Sequence, residues 1–177
     1  PSTGGDADIL QYLQVLPGVI STGDQGGQLY IRGGSPVQNK INLDGLTIYN
    51  PFHSIGFYSV FETELIKNVD VLTGGFNAEH GGRISAVVDI STREGNRSRV
   101  AGQVSASPFM TKALVEIPVI KFDENKGTSG SLVLTGKRSL IDQTSKTLYS
   151  YASANDSIGL PFEFTDVYGK LSFLTSN

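Results

Sequence analysis

The sequence predicts an α+β domain with a small mixed β-sheet over residues 1–95, followed over residues 96–177 by antiparallel strands of an incomplete transmembrane β-barrel. Three observations carry that prediction. Apolar residues recur at helical spacing near the start, at Ile9, Leu13 and Leu16. Glycine is abundant, 21 of 177 residues, and falls mostly in doublets between short strand-like runs, which implies many tight backbone turns. From Arg99 onward apolar and polar residues alternate in four stretches of roughly ten residues, the length and period of membrane-crossing strands.

In the first half, Asp6 is the expected N-cap of an opening helix that Pro17-Gly18 stops. Short strands are predicted at 28–32, 40–43 and 47–49, a helical turn near 59–65, and further strands at 68–72 and 84–92. In the second half, Val100, Gly102, Val104 and Ala106 share one face, and Arg99, Gln103, Ser105 and Ser107 the other. Thr111, Ala113, Val115 and Ile117 oppose Lys112 and Glu116. Leu132 and Leu134 oppose Ser131 and Lys137, and Val167, Leu171 and Phe173 oppose Asp166, Lys170 and Ser172. A soluble antiparallel sandwich alternates in the same way. The connections favour the barrel: a tight link at 107–110 and a turn at 122–129 precede a long polar segment at 139–160, and outer-membrane barrels pair short turns with long loops. Four strands cannot close a barrel and open edges are not tolerated in hydrocarbon, so the barrel is expected to continue beyond Asn177 or in another chain.

Composition narrows the function. With 38% hydrophobic and 18% charged residues the chain is too apolar for disorder, and a net charge of -3 argues against a nucleic-acid partner. The absence of cysteine excludes disulfides and thiolate metal sites. The chain opens on Pro1 with no signal peptide, so a trimmed or processed N-terminus is expected. Gly136-Lys137 followed by Ser139 lacks the full phosphate-loop spacing, and neither a dinucleotide fingerprint nor a serine-nucleophile elbow is present. His53 and His80 stand far apart without carboxylates at ligand spacing, so no metal site, cofactor or catalytic residue is expected. The glycosylation patterns at 96–98 and 155–157 carry little weight outside a eukaryotic secretory route.

Five segments, in order, resemble the plug domain of TonB-dependent outer-membrane receptors. Residues 8–19 (DILQYLQVLPGV) resemble its opening helix, and residues 29–33 (LYIRG) its IRG strand end. Residues 42–49 (NLDGLTIY) are similar to its DG hairpin, where Asp44-Gly45 suits a tight turn. Residues 66–74 (IKNVDVLTG) and 77–92 (NAEHGGRISAVVDIST) are similar to its later strand and closing element, with His80 where the family usually has tyrosine. The run YNPFH at 49–53 and Gly74-Gly75-Phe76 resemble receptors from Bacteroidota-type bacteria.

The resemblance implies a gated nutrient importer, a barrel of about 22 strands filled by the plug. A signalling receptor of the same family and a soluble β-rich binding module are the alternatives. The implied partners are the TonB energy-coupling protein, a nutrient ligand, outer-membrane lipid, the remainder of the barrel and a surface lipoprotein. Residues 1–6 hold no convincing TonB-binding box. Arg32, matching the IRG arginine, and Arg83, near the closing element, are expected to lock plug to barrel carboxylates. Arg99, Lys112, Glu116, Lys137, Asp166 and Lys170 are expected to line the lumen. The aromatic-dense run makes Tyr49, Asn50, Phe52, His53, Phe57 and Tyr58 the expected ligand-facing apex.

Overall fold

The computed structural model describes residues 8–21, 28–53, 58–122, 127–148 and 163–175. The chain divides into two compact units, Pro1–Arg93 and Glu94–Asn177.

The first unit opens with helix α1, Ile9–Leu13. Its N-cap is Asp8; Asp6 lies outside the described residues. One Asp8 carboxylate oxygen accepts from the Leu10 and Gln11 N–H groups at 2.9 and 3.4 Å. Because the helix presents Leu10 and Leu13 on one face, both are buried in the core. Strands β1 (Val19–Ser21) and β2 (Leu29–Ile31) form an antiparallel pair, of which β1 is new relative to the sequence prediction.

The main sheet has the order β4-β3-β8-β7, from β3 (Asn39–Leu43), β4 (Leu46–Thr47), β7 (Ile66–Leu72) and β8 (Ala86–Thr92). It is mixed: β3 runs parallel to β8, while the other neighbours are antiparallel. Ala86, Val87, Val88 and Ile90 are all fully buried, so β8 is covered on both faces where it enters the sheet. Between β1–β2 and this sheet lies the core of Leu10, Leu13, Leu29, Ile31, Ile41 and Phe61 with the inward face of β8. The expected strand at 47–49 stops at Thr47; the expected helical turn near 59–65 is a 3-10 turn at Thr63–Leu65 leading into β7, and it is preceded by strand β6 (Tyr58–Ser59), which pairs with β5 (Phe52–His53).

The β3–β4 connection is a two-residue turn with positive φ at both Asp44 (49°) and Gly45 (82°), the geometry that matches strand twist in hairpins. Asp44 also reaches β8: its carboxylate accepts from the Thr92 N–H at 2.9 Å and the Thr92 hydroxyl at 2.5 Å. Asp44→Ala is expected to lower stability by about 2–4 kcal/mol, since it removes the acceptor from a buried N–H and puts alanine at positive φ. Asp44→Asn, which tolerates that φ and keeps one acceptor, should cost clearly less. Urea midpoints of the two variants check the ranking, and equal midpoints would remove the Thr92 bonds from the account.

The second unit is a four-stranded antiparallel sheet of order β12-β11-β10-β9. Its strands are β9 (Ala101–Ala106), β10 (Met110–Ile120), β11 (Thr128–Ser139) and β12 (Thr165–Thr175). β10 runs three residues past the expected end because a bulge between Pro118 and Ile120 absorbs the proline. Part of the polar segment expected at 139–160 is helix α2, Ile141–Leu148; residues 149–162 lie outside the described set. Arg99 and Val100 precede β9, the Arg99 N–H donating to Asn96 Oδ1 at 3.0 Å. Segment 94–98 folds back on the sheet: the Asn96 N–H donates to Glu116 Oε2 at 2.8 Å, and a Cβ at Gly95 would meet Val133 Cγ2 at 2.7 Å.

Candidate functional site

Two features have functional chemistry, one in each unit. In the first unit the chain leaves β4 through Ile48, whose N–H donates to the Ile41 carbonyl at 2.8 Å. Ile48 and Phe52 pack against the core, while Tyr49 between them is 82% exposed and Asn50 is exposed beside it. Phe52 and His53, both half-buried, pair with Ser59 and Tyr58 across β5–β6. The short hairpin is tied down from a distance, because the second Asp8 oxygen accepts from the Ser59 N–H at 2.7 Å. Of the six expected apex residues, Tyr49, Asn50, Phe52, His53 and Tyr58 thus lie along one turn and hairpin; Phe57 lies outside the described residues.

A cleft of about 240 Å³ opens beside this segment, between β2, the Pro36–Gln38 turn, β3 and the 48–52 run. Tyr49, Asn50 and Phe52 line it, with Gln28 and Asn39 opposite. Asn39 had no signal in the sequence. Its Nδ2 donates to the Leu29 carbonyl at 2.7 Å, fixing the carboxamide against β2.

The two expected lock residues have different settings. Arg32 is exposed and sits at φ 48°, just after β2, with its N–H donating to the Gly18 carbonyl at 2.8 Å. A Cβ at Gly18 would lie 3.5 Å from the Arg32 Cγ and one at Gly74 3.7 Å from its Nη1, ordinary contact distances that place the Arg32 side chain beside both glycines. Arg83 is half-buried in the segment before β8. Among the described residues neither arginine forms an ion pair. His80 stacks edge-on with Phe76, ring centroids 6.4 Å apart, and lies 3.6 Å from Glu79; no cluster of three His, Asp or Glu side chains suited to a metal occurs among the described residues.

In the second unit the alternation is inverted relative to a soluble sheet. Register places Lys112, Lys137 and Asp166 opposite one another, with Glu116 and Lys170 further along the same face. That face, which also holds the buried Met110, Leu114 and Val133, is the covered one: Glu116 and Lys137 are 6% exposed, and Ser129, Ser131 and Ser139 are buried. Lys137 Nζ lies 3.4 Å from Asp166 Oδ2 and 6.0 Å from the Phe164 ring centroid. The opposite face carries Val104, Val115, Leu134, Val167, Leu171 and Phe173, all exposed.

A family model described as the TonB-dependent Receptor Plug Domain matches residues 2–88. The first unit has the fold of a plug domain and matches that family. Four of the five motif segments end at a strand terminus or a glycine; the segment 42–49 ends two residues past β4. Solved structures share the fold. The ferric enterobactin receptor of Pseudomonas aeruginosa, solved as a point variant with enterobactin, matches 93% of this chain at 19% identity and a TM-score of 0.56. The ferric-catecholate import receptor Fiu of Escherichia coli, in an open form, matches 78% at 17% identity and a TM-score of 0.51. The chain spans 28% and 20% of those two receptors' lengths. No curated protein sequence matches it significantly. Both of the solved proteins are receptors, one of them an import receptor.

Proposed function

We propose that this chain is the plug and first barrel strands of a TonB-dependent outer-membrane receptor that takes up a nutrient ligand. The observation that carries it is the inverted second sheet. A soluble sandwich buries an apolar face, but here the covered face bears Lys112, Glu116, Lys137, Asp166 and Lys170, and the exposed one is apolar. Lipid on the apolar face and a watery, plug-filled lumen on the charged face satisfy both. A plug domain preceding such strands fits a gate within a barrel completed by further strands, TonB supplying the force that opens it. The YNPFH and Gly74-Gly75-Phe76 runs favour a Bacteroidota-type receptor with a surface lipoprotein partner.

The intact mass of the native protein in an outer-membrane fraction tests the proposal. A membrane-embedded species far above 18.9 kDa is expected, whereas a soluble 18.9 kDa species would favour a binding module. Within the proposal, Arg32 and Arg83 pair with barrel carboxylates and resist opening. Arg32→Ala is expected to remove about 1–2 kcal/mol of closure, raising passive leak of a bulky hydrophilic antibiotic roughly 5- to 30-fold. Unchanged leak and unchanged uptake would assign Arg32 to the plug's own fold.

A further inference from the structure

We propose that residues 94–99 form a clasp on the second sheet, so that a pull on the plug draws out the chain only as far as Arg93 and does not peel strand β9. The inference rests on the receptor reading, in which TonB supplies that pull.

The chain passes from one unit into the other with almost no slack. Arg93 still belongs to the first: its N–H donates to the Leu65 carbonyl at 2.7 Å and its Nε to the Glu64 carbonyl at 2.9 Å. Two residues on, Gly95 is buried against β11 of the second. A Cβ there would meet Val133 Cγ2 at 2.7 Å, and Ser131 Cβ and the Leu132 carbonyl oxygen both at 3.3 Å. Val133 is 1% exposed and its β-branched side chain has few rotamers to retreat into, so glycine lets the chain lie this close.

Three further contacts fasten the segment. The Asn96 N–H donates to Glu116 Oε2 of β10 at 2.8 Å, a bond that a carboxylate makes stronger than a neutral acceptor would. The Arg97 carbonyl accepts from the Phe122 N–H, just past the end of β10, at 3.1 Å. The Arg97 guanidinium pairs with Glu94, closing a loop around Gly95 and Asn96. Asn96 then turns the chain, its Oδ1 accepting from the Ser98 and Arg99 N–H groups at 2.9 and 3.0 Å. The segment thus touches β11 and then β10 before the chain enters β9 at Ala101.

Where tension meets the sheet decides how the sheet gives way. β9 is six residues long and pairs with β10 from Ala101–Glu116 to Ala106–Thr111. A pull arriving at Ala101 would reach the end of this ladder and open its bonds one at a time, each of them weak alone. A closing strand on the other edge of β9 leaves that entry point where it is. The clasp moves the entry point to β10 and β11, which are 11 and 12 residues long and paired on both sides. Its contacts at Gly95, Asn96 and Arg97 then share the tension, and the sheet opens only when they fail together.

The test pulls single whole receptors, held in outer-membrane patches, from a handle placed ahead of the plug. At constant force the extension is expected to halt once the chain is drawn out to Arg93. Failure of the clasp then releases residues 94–106 in a further step of roughly 45 Å, at ~3.3–3.6 Å per residue. Gly95→Ala, at a glycine without positive φ, should shorten the halt about tenfold by lifting the segment off Val133. Asn96→Ala, which unties the turn and leaves every strand residue in place, should shorten it several-fold, and it decides alone should Gly95→Ala fail to assemble. Halts equally long in the parent and the variants, or a parent that runs past Ala106 with no halt at Arg93, would overturn the proposal. A protein found soluble that still halts at Arg93 when tethered by its far end would keep the clasp and sink the receptor reading instead.

Discussion

Gly34→Ala is expected to cost about 2–4 kcal/mol and lower the plug's melting temperature by roughly 10–20 °C. A Cβ at Gly34 would fall 2.0 Å from Ser85 Oγ and 2.4 Å from Ser85 Cβ, with the Ile31 carbonyl at 3.2 Å. None of these neighbours is free to yield. The Ser85 hydroxyl donates to the Ile31 carbonyl at 2.9 Å, and the Gly34 N–H donates to the same carbonyl at 2.9 Å. The Ser85 N–H is itself held by the Gln38 carbonyl at 3.2 Å. An added methyl group must therefore break a hydrogen bond or push the chain ahead of β8 away from the end of β2. Thermal unfolding of the whole receptor in detergent checks this, with Gly34→Ala/Ser85→Gly as the companion. Because that pair removes both clashing Ser85 atoms, it should recover part of the loss. A single variant that melts like the parent would show the contact to be looser than described.

Leu171→Arg should impair membrane assembly more than any polar-face change in the same strand. Leu171 is 56% exposed near the middle of β12, opposite Leu132, on the face shared with Val167 and Phe173. A basic side chain on a lipid-facing barrel strand costs about 2–4 kcal/mol at the midplane, roughly 30- to 1000-fold in the folded, inserted fraction. Ser172→Arg, one residue on and facing the other way, should cost little in comparison. The ratio of heat-modifiable, membrane-inserted receptor in the two variants is the measurement. If Ser172→Arg proves the worse, the faces are reversed and the proposed lipid-facing surface is wrong.

The second sheet was legible because its signal is local and repeated. Side chains in a strand alternate with a period of two, so Lys112 and Glu116, and likewise Asp166 and Lys170, could each be assigned to one face of their strand from spacing, while the register joins them with Lys137. The Asp44-Gly45 turn was legible for a similar reason, since few dipeptides accept positive φ at two successive residues. Asp8 was also within reach: it directly precedes the first apolar helix residue, the usual N-cap signal, although Asp6 was the residue expected. The very short β1, β5 and β6 gave too few alternating residues to register.

The sequence by itself determined the plug-like first half, the alternating second half and the aromatic run at 49–58, since each depends on residue types at short separations. Only the tertiary structure decided which distant groups meet. Asp8 reaches Ser59 across 51 positions, Ser85 reaches Ile31 across 54, and Thr92 reaches Asp44 across 48. The cleft is of the same kind: Gln28, Asn39 and Tyr49 come from three separate segments, brought together when β2 and β3 bury their apolar faces in one core. That burial follows from the summed packing of the whole unit, which no short window of sequence contains.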